Sequence, residues 1–223
     1  GRTQAGTPVY VQLLGSDPEL MAANARVAAQ LGAPGIDLNF GCPAKTVNKS
    51  RGGATLLRTP AVIFDVCKAV RDATPPNIPV TAKVRLGFDD DGQFEDITNN
   101  AFASGITELT VHARTKVQAY RPPAHWSTLR SIHNSRGIPV IANGEIWTPS
   151  DLLQCRKVSG CNAFMLARGA VCRPDLARAI LAHDQGQRVD PMTWEEITEL
   201  LVHFFDANSA LYERKFAINP LKQ

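Results

Sequence analysis

Short apolar runs alternate along the chain with longer amphipathic stretches. A short run rich in Val, Ile and Leu predicts a buried strand, whereas apolar residues three or four positions apart predict a helix. The predicted strands are Val9–Leu14, Gly35–Phe40, Val80–Leu86, Glu108–Ala113, Val140–Asn143 and Ala163–Ala167. The predicted helices are Glu19–Leu31, Ala61–Asp72, Phe94–Ala103, Trp126–His133, Ser150–Val158, Pro174–His183 and a longer one at Trp194–Phe216. Strict alternation of strand and helix predicts a parallel sheet with right-handed crossovers.

Polar side chains occur near the carboxyl end of every predicted strand. The alternation of side chains along a strand places Lys83 and Arg85 on one face of the sheet, and His112 and Arg114 follow the same rule. The other strands contribute Gln12, Asn39, Asn143 and Arg168. An open doubly wound sheet would need polar ends only beside its switch point, whereas a barrel gathers all its strand ends around one site. We therefore predict an α/β fold of the (β/α)8 TIM-barrel class.

Length and composition agree with one large α/β domain. The chain has 223 residues, of which 44% are hydrophobic and 20% charged, as in ordinary globular proteins. No apolar run reaches the roughly 18 residues of a membrane span, and residues 1–4 contain no apolar signal core. We therefore expect a cytosolic protein with no membrane partner. The net charge of +3 permits a nucleic-acid partner without requiring one.

The segment after the second predicted strand has the strongest chemical character. Gly41 and Pro43 end the strand and leave the thiol of Cys42 just beyond its carboxyl end, where α/β proteins place their active sites. A lone cysteine is more often a small buried hydrophobe, so the flanking sequence has to support a catalytic role. The five cysteines form no CxxC pair, which argues against a disulfide framework and against a zinc site. The loop that follows is basic and contains Lys45, Lys49 and Arg51, as expected for a lid over an anionic substrate.

The motif from Asn39 to Pro43, together with residues 52–57 (GGATLL), resembles the flavin-dependent tRNA-dihydrouridine synthases. The resemblance implies FMN-dependent reduction of the 5,6 double bond of a D-loop uridine, with NADPH or NADH as electron donor. It further implies that Cys42 gives a proton to C5 after a hydride has reached C6. Thiols are largely protonated at neutral pH, which suits a general acid. Phe40 and the run GEIW at 144–147 look most like the bacterial C branch of the family, which modifies position 16.

The resemblance also assigns cofactor and RNA contacts. Lys83 matches a residue placed near the negative charge of the reduced flavin, and Gln12 matches a glutamine that bonds the flavin ring. His112 aligns with a flavin-contacting histidine of a His-Gly-Arg-Thr segment, in which Ala113 replaces the glycine. Flavin phosphate is expected on two loops that contain Asn143, Gly144, Glu145, Ala167 and Arg168, where Ala167 replaces a usual glycine. Contacts with RNA are expected from Asn39, Lys45, Arg51, Arg85, Arg114 and Tyr120.

Family organisation sets an expectation for the domains. The family barrel opens with two strands that this chain would lack, and it is followed by a helical domain that binds tRNA. We therefore expect a partial FMN-binding barrel at 1–184 and the beginning of the helical domain at 191–223, in a monomeric protein.

Three other functions remain open on the sequence. Flavin-dependent dihydropyrimidine and dihydroorotate dehydrogenases, which act on free small molecules, also place a cysteine near this point. A chain without the first two strands could instead be a non-catalytic RNA-binding fragment. Lys83 could also form a Schiff base in an aldolase-like barrel, or pair with Asp37 in a purely structural role.

Overall fold

Six strands form one parallel sheet in the computed structural model, which describes residues 1–3, 5–132 and 137–213. The strands are β1 (Val11–Leu13), β2 (Ile36–Asn39), β3 (Val80–Arg85), β4 (Glu108–His112), β5 (Val140–Asn143) and β6 (Ala163–Met165). The helices are α1 (Pro18–Gln30), α2 (Lys45–Lys49), α3 (Pro60–Ala73), α4 (Phe94–Ala103), α5 (Pro149–Ser159), α6 (Arg168–Cys172), α7 (Leu176–Asp184) and α8 (Trp194–Leu211), with 3-10 helices at Gly53–Arg58 and Trp126–Ser131.

The strands follow one another across the sheet in chain order, β1 to β6, and every pair is parallel. A doubly wound sheet would reverse its strand order at a switch point, whereas a barrel keeps sequential neighbours adjacent. The predicted α/β fold with a barrel-type sheet is therefore confirmed.

The two faces of the sheet differ in polarity because apolar and polar residues alternate along the strands. The apolar face is fully buried at Ile36, Leu38, Val80, Ala82, Val84, Leu109, Val111 and Ala142. Helix α3 adds Ile63, Val66 and Val70 to this core and packs against both α1 and α4. At roughly 25 cal/mol per Å² of apolar surface, this burial is the main favourable contribution to folding. The opposite face is left to polar side chains, and these form the candidate site.

Most predicted elements are observed with ends that differ by one or two residues. The segment after Cys42 was predicted as a loop, but it contains the short helix α2, and α6 was likewise not predicted. Residues 126–131 form a 3-10 helix, and the predicted end at His133 lies outside the described residues. The predicted helix Trp194–Phe216 is observed as α8 to Leu211, and its last residues also lie outside the described part. None of the helices described is long and apolar enough to cross a bilayer.

The chain divides into two compact units. The first unit contains Gly1–Gly144 and Cys155–Met165, and therefore the whole sheet. The second unit contains Glu145–Gln154 and the chain from Leu166 onward, including α6, α7 and α8. The domain division predicted at residues 184–191 stays a prediction.

Candidate functional site

A chain of hydrogen bonds crosses the polar face of β1, β2 and β3. The Thr81 hydroxyl donates to Oδ1 of Asp37 at 2.7 Å, and Nε2 of Gln12 donates to Oδ2 of the same carboxylate at 2.7 Å. Oε1 of Gln12 accepts from Nδ2 of Asn39 at 3.0 Å, and Oδ1 of Asn39 accepts from the Gly41 N–H at 2.9 Å. An ionised carboxylate can only accept, so Asp37 fixes the orientation of both amides. The network thus connects the polar face of the sheet to Gly41, the residue before Cys42.

Lys83 lies on the same face, one strand further along. Its Nζ donates to Oδ1 of Asn143 at 3.2 Å, and Nδ2 of Asn143 donates to the Met165 carbonyl at 2.8 Å. Burial and, to a smaller extent, the neighbouring Arg85 lower the pKa of Lys83 to about 8, whereas Asp37 opposes the shift. A partly buried ammonium whose pKa is lowered is stabilised in its charged form by an anion placed beside it. This surrounding therefore suits the binding of a negatively charged group.

The buried Arg85 guanidinium forms hydrogen bonds with two loops, the one after β2 and the one after β4. Nε donates to the Gly41 carbonyl at 2.8 Å, and Nη1 donates to the carbonyls of Thr115 at 3.2 Å and Ala119 at 2.9 Å. The residue is only 2% exposed. Burial lowers the pKa of Arg85, and the nearby Tyr120 opposes that shift. Arg85 therefore fixes the backbone on the amino side of Cys42 relative to the loop after β4.

His112 and Arg114 interact directly. Nη1 of Arg114 is 3.2 Å from Nε2 of His112, and Nε of Arg114 donates to the Arg121 carbonyl at 2.6 Å. A guanidinium has no acceptor, so Nε2 of His112 must accept, and the imidazole is neutral with its proton on Nδ1. The ring of Tyr120 is tilted by 31° relative to that of His112, and the two centroids are 6.0 Å apart. Both His112 and Arg114 are buried, at 6% and 0% exposed.

The burial of Arg85 and Arg114 corrects one expectation from the sequence. Both were predicted to meet RNA phosphates at the mouth of the barrel, but their guanidinium groups bond backbone carbonyls and, for Arg114, His112. A side chain with 2% or 0% exposure presents no surface to an RNA backbone. Their placement therefore favours a structural role in the loops around Cys42 and Tyr120.

Cys42 is half-buried, and its carbonyl oxygen is held from two sides. It accepts from the Ala54 N–H at 3.0 Å and from Nδ2 of Asn48 at 2.8 Å. Gly53 lies directly against it in the left-handed region, at φ +59°, and a Cβ there would lie 2.8 Å from this oxygen. The loop from Cys42 to Gly53 is therefore folded tightly on the peptide that carries the thiol.

Replacing Gly53 by alanine is expected to strain this loop, because the positive φ and the Cys42 oxygen both oppose a Cβ. The free energy of unfolding should fall by about 1–3 kcal/mol. Urea denaturation measures the loss. Gly52→Ala is the matched control, because a Cβ there meets its nearest atom at 3.4 Å and the residue has ordinary extended geometry. Equal stability of the two variants would contradict the assigned packing.

The exposed residues of this loop and of its neighbour form a mixed surface. Lys45 and Lys49 belong to α2, and Arg51 follows at φ 58° with its side chain exposed. Tyr120 is 50% exposed, and the Arg85 guanidinium lies 5.4 Å from its ring centroid. Of the residues predicted to contact RNA, Lys45, Arg51 and Tyr120 are exposed and Asn39 is half-buried.

The second unit contains the remaining predicted cofactor residues. Glu145 lies in the left-handed region at φ 59°, and its Oε1 accepts from Nε1 of Trp147 at 2.7 Å. Arg168 begins α6 with its guanidinium 5.2 Å from the Trp147 ring centroid, and Ala167 is the exposed residue before it. A Cβ on Gly169 would lie 2.2 Å from the Ile146 carbonyl, so the two loops need glycine to pack together. In the first unit, Gly144 (φ 114°) packs in the same way against the His112 ring.

Sequence reasoning missed Thr81, Asn48 and Thr55, and it named Asp37 only as a possible partner of Lys83. Thr81 and Asp37 orient Gln12, and Asn48 and Thr55 organise the loop after Cys42. Period-two alternation along β2 and β3 could have identified Asp37 and Thr81, whereas no sequence signal indicated the two loop residues. Within the described residues, no group of three or more His, Cys, Asp or Glu lies close enough to hold a metal ion.

Comparison with known proteins gives consistent matches along the whole chain. The family model described as dihydrouridine synthase (Dus) matches residues 2–218. A Pseudomonas putida protein named tRNA-dihydrouridine(16) synthase is 52% identical over 223 residues, covering 100% of this chain and 69% of that protein. An Aquipseudomonas alcaligenes protein of the same name is 49% identical, covering 100% of this chain and 70% of that protein.

The fold is also found among solved structures. DHODH from Eimeria tenella, crystallised with ferulenol, gives a TM-score of 0.55 at 15% identity, covering 78% of this chain and 57% of that one. DHODH is a TIM-barrel enzyme, and at this identity the likeness concerns the fold alone.

Proposed function

Because the chain belongs to the dihydrouridine synthase family, we propose that it reduces a uridine of tRNA to dihydrouridine, at position 16 as in the names of its relatives. The observation that carries this proposal is the placement of Cys42. Cys42 lies three residues after β2, and the bond from the Gly41 N–H to Asn39 joins its loop to a polar sheet face with a partly buried cation and several oriented amides. This arrangement suits a proton donor beside an anionic redox cofactor.

The family is flavin-dependent, and the donors of the first unit fit FMN. Gln12 and Asn39 present amides held in one orientation, and His112 presents a neutral ring. Lys83 supplies a cation whose lowered pKa reflects burial. In the second unit, Glu145 and Arg168 lie on the loops proposed to hold the phosphate, with α6 beginning at Arg168. NADPH is the proposed electron donor.

The chain's own residues would act on the uracil in two ways. A bound flavin supplies the hydride that reduces C6. The Cys42 thiol donates its proton to C5, which completes the reduction of the double bond, and the thiolate then regains a proton from solvent. The Ala54 N–H and the Asn48 side chain restrain the Cys42 carbonyl, on the same residue as this thiol. Lys83 would stabilise the negative charge that develops on the cofactor during its reduction.

The basic residues of α2 are proposed to meet tRNA phosphates. Replacing Lys45 and Lys49 together by alanine should weaken tRNA binding, and it should reduce the slope of log affinity against log salt by roughly 1–2. Fluorescence anisotropy at several salt concentrations measures this slope. Arg26→Ala on α1, also an exposed cation, is the control. Identical slopes for the double variant and the control would exclude a contact between α2 and the RNA backbone.

Helix α8 is proposed to begin the tRNA-binding helical domain at 191–223, after a catalytic barrel at 1–184. It starts with a capping box between Thr193 and Glu196, and none of its residues is buried. Trp194 and Leu211, at 69% and 78% exposed, give it apolar surface at both ends. We propose that the protein acts as a monomer in the cytoplasm.

The proposed function is tested by two measurements on the purified chain. The visible absorption spectrum, with the cofactor released and identified, establishes whether FMN binds. Unmodified tRNA is then incubated with the flavin-loaded chain and NADPH, and dihydrouridine at position 16 is determined by mass spectrometry of nuclease fragments. Dihydroorotate and free uracil serve as alternative substrates. Turnover of a free pyrimidine without turnover of tRNA would refute the proposal.

A further inference from the structure

The side chain of Asn48 bridges three parts of the loop after β2. Its Nδ2 donates to the carbonyls of Cys42 and Ala44, both at 2.8 Å. Its Oδ1 accepts from the Thr55 hydroxyl at 2.9 Å, and that hydroxyl also lies 3.2 Å from the Asn48 carbonyl. Both amide hydrogens and the amide oxygen are therefore used, and the two carbonyls, which can only accept, set which end of the amide faces Cys42.

These bonds act on the peptide that carries the thiol. The Cys42 carbonyl is held by Asn48 on one side and by the Ala54 N–H on the other, while Arg85 holds the preceding carbonyl, of Gly41. The backbone of Cys42 is thus restrained on both sides of its Cα. Helix α2 has only five residues, so its own hydrogen bonds cannot fix its position relative to Cys42.

We propose that Asn48 and Thr55 are positioning residues that hold the Cys42 thiol in the direction required for proton transfer. The hydrogen bond from Asn48 to the Cys42 carbonyl links the Asn48–Thr55 pair to the residue that carries the thiol, so the pair acts through that carbonyl. A misplacement of about 1 Å at a reacting group can lower a rate about 10²-fold. The rate effect rests on the proposed function, whereas the effect on the thiol does not.

Two variants interrupt the connection from Thr55 through Asn48 to the Cys42 carbonyl with minimal change in volume. Asn48→Asp keeps the acceptor for Thr55 but removes the donor to the Cys42 carbonyl, and Thr55→Val removes the hydroxyl. Thr55→Ser retains the hydroxyl and should therefore keep the kcat and the Cys42 reactivity of the parent. Asn24→Asp is the matched control, because Nδ2 of Asn24 also bonds the carbonyl of a preceding helical residue, Leu20, at 2.8 Å but lies in α1, away from Cys42.

The first measurement is steady-state turnover of the flavin-loaded enzyme. For Asn48→Asp and Thr55→Val, kcat for dihydrouridine formation should fall about 10–10²-fold. The KM for tRNA, the rate of flavin reduction by NADPH and the melting temperature should stay close to those of the parent enzyme. Thr55→Ser and Asn24→Asp should match the parent in every respect.

The second measurement is the rate of alkylation of Cys42 by iodoacetamide in a Cys172→Ser background, followed by peptide mass spectrometry. Cys172 is the exposed thiol that would compete. Cys67, Cys155 and Cys161 are buried, and burial raises the pKa of each, to about 12 for the first two, so they react slowly. A released loop should make Cys42 react severalfold faster in Asn48→Asp and Thr55→Val, but not in the other two variants.

The outcomes separate this proposal from the proposed function. Faster alkylation of Cys42 together with a lower kcat at constant KM supports the positioning role. Unchanged alkylation and unchanged kcat in both variants would overturn it, and so would a loss of flavin or of folding that accounts for the whole decrease. If the parent chain were inactive on tRNA, the proposed function would fail, whereas the alkylation rates would still decide whether the pair positions the thiol.

Discussion

Dihydrouridine formation is expected to fall about 10²–10⁴-fold when Cys42 is replaced by alanine, because this is the contribution of a positioned general acid. The variant should still bind flavin, since Cys42 reaches the site from a loop beside the polar sheet face and is not part of its hydrogen-bond network. Reduction of the flavin by NADPH should therefore proceed at nearly the parent rate. Stopped-flow absorbance follows this half-reaction, and single-turnover assays with tRNA follow the other.

The replacement of Cys42 should slow the reduction of uridine but not the reduction of the flavin. Cys172→Ala removes an exposed thiol and should leave both half-reactions unchanged. An equal loss of both half-reactions in Cys42→Ala would mean that the residue supports the site as a whole. Full activity on tRNA would assign the proton to another donor, and the neutral His112 would then be the next residue to test.

The sheet and the polar site face could be predicted because both follow from local patterns. Period-two alternation placed Lys83 and Asn143 on one face, and the structure joins them by a hydrogen bond of 3.2 Å. The polar residue near the end of every predicted strand predicted a barrel, in agreement with the observed strand order. Position along a strand thus carries enough information to locate the site.

The loops could not be predicted in the same way, because their conformation depends on contacts between distant residues. Arg85 was expected to contact RNA as one of the cations at the mouth of the barrel. It is instead enclosed by carbonyls of Gly41, Thr115 and Ala119, which come from two loops that only the folded chain brings together. Asn48 was overlooked for the same reason, since its partner Thr55 lies seven residues further along the chain.

Lys83→Met is expected to slow reduction of the flavin by NADPH about 10²–10³-fold, because a fixed charge is lost where negative charge develops. In the parent enzyme, this rate should decrease when Lys83 loses its proton, at a pH above the value of about 8 to which its pKa is lowered in the flavin-free chain, because an anionic flavin stabilises the ammonium. The variant should lack this dependence. Lys68→Met, which removes an exposed lysine paired with Asp72, is the control and should retain it.

The stability of the flavin-free protein tests the same residue independently of catalysis. The folded chain releases the Lys83 proton near pH 8, whereas the unfolded chain holds it to about 10.5, so the unfolded state binds more protons between these values. Stability should therefore rise with pH across this window in the parent but less in Lys83→Met. The variant should also be more stable than the parent at pH 7, because it removes the desolvation cost of the ammonium. Lower stability at pH 7 would show that Asp37 and Asn143 already compensate the charge, and the cation would then have no need of an anionic cofactor.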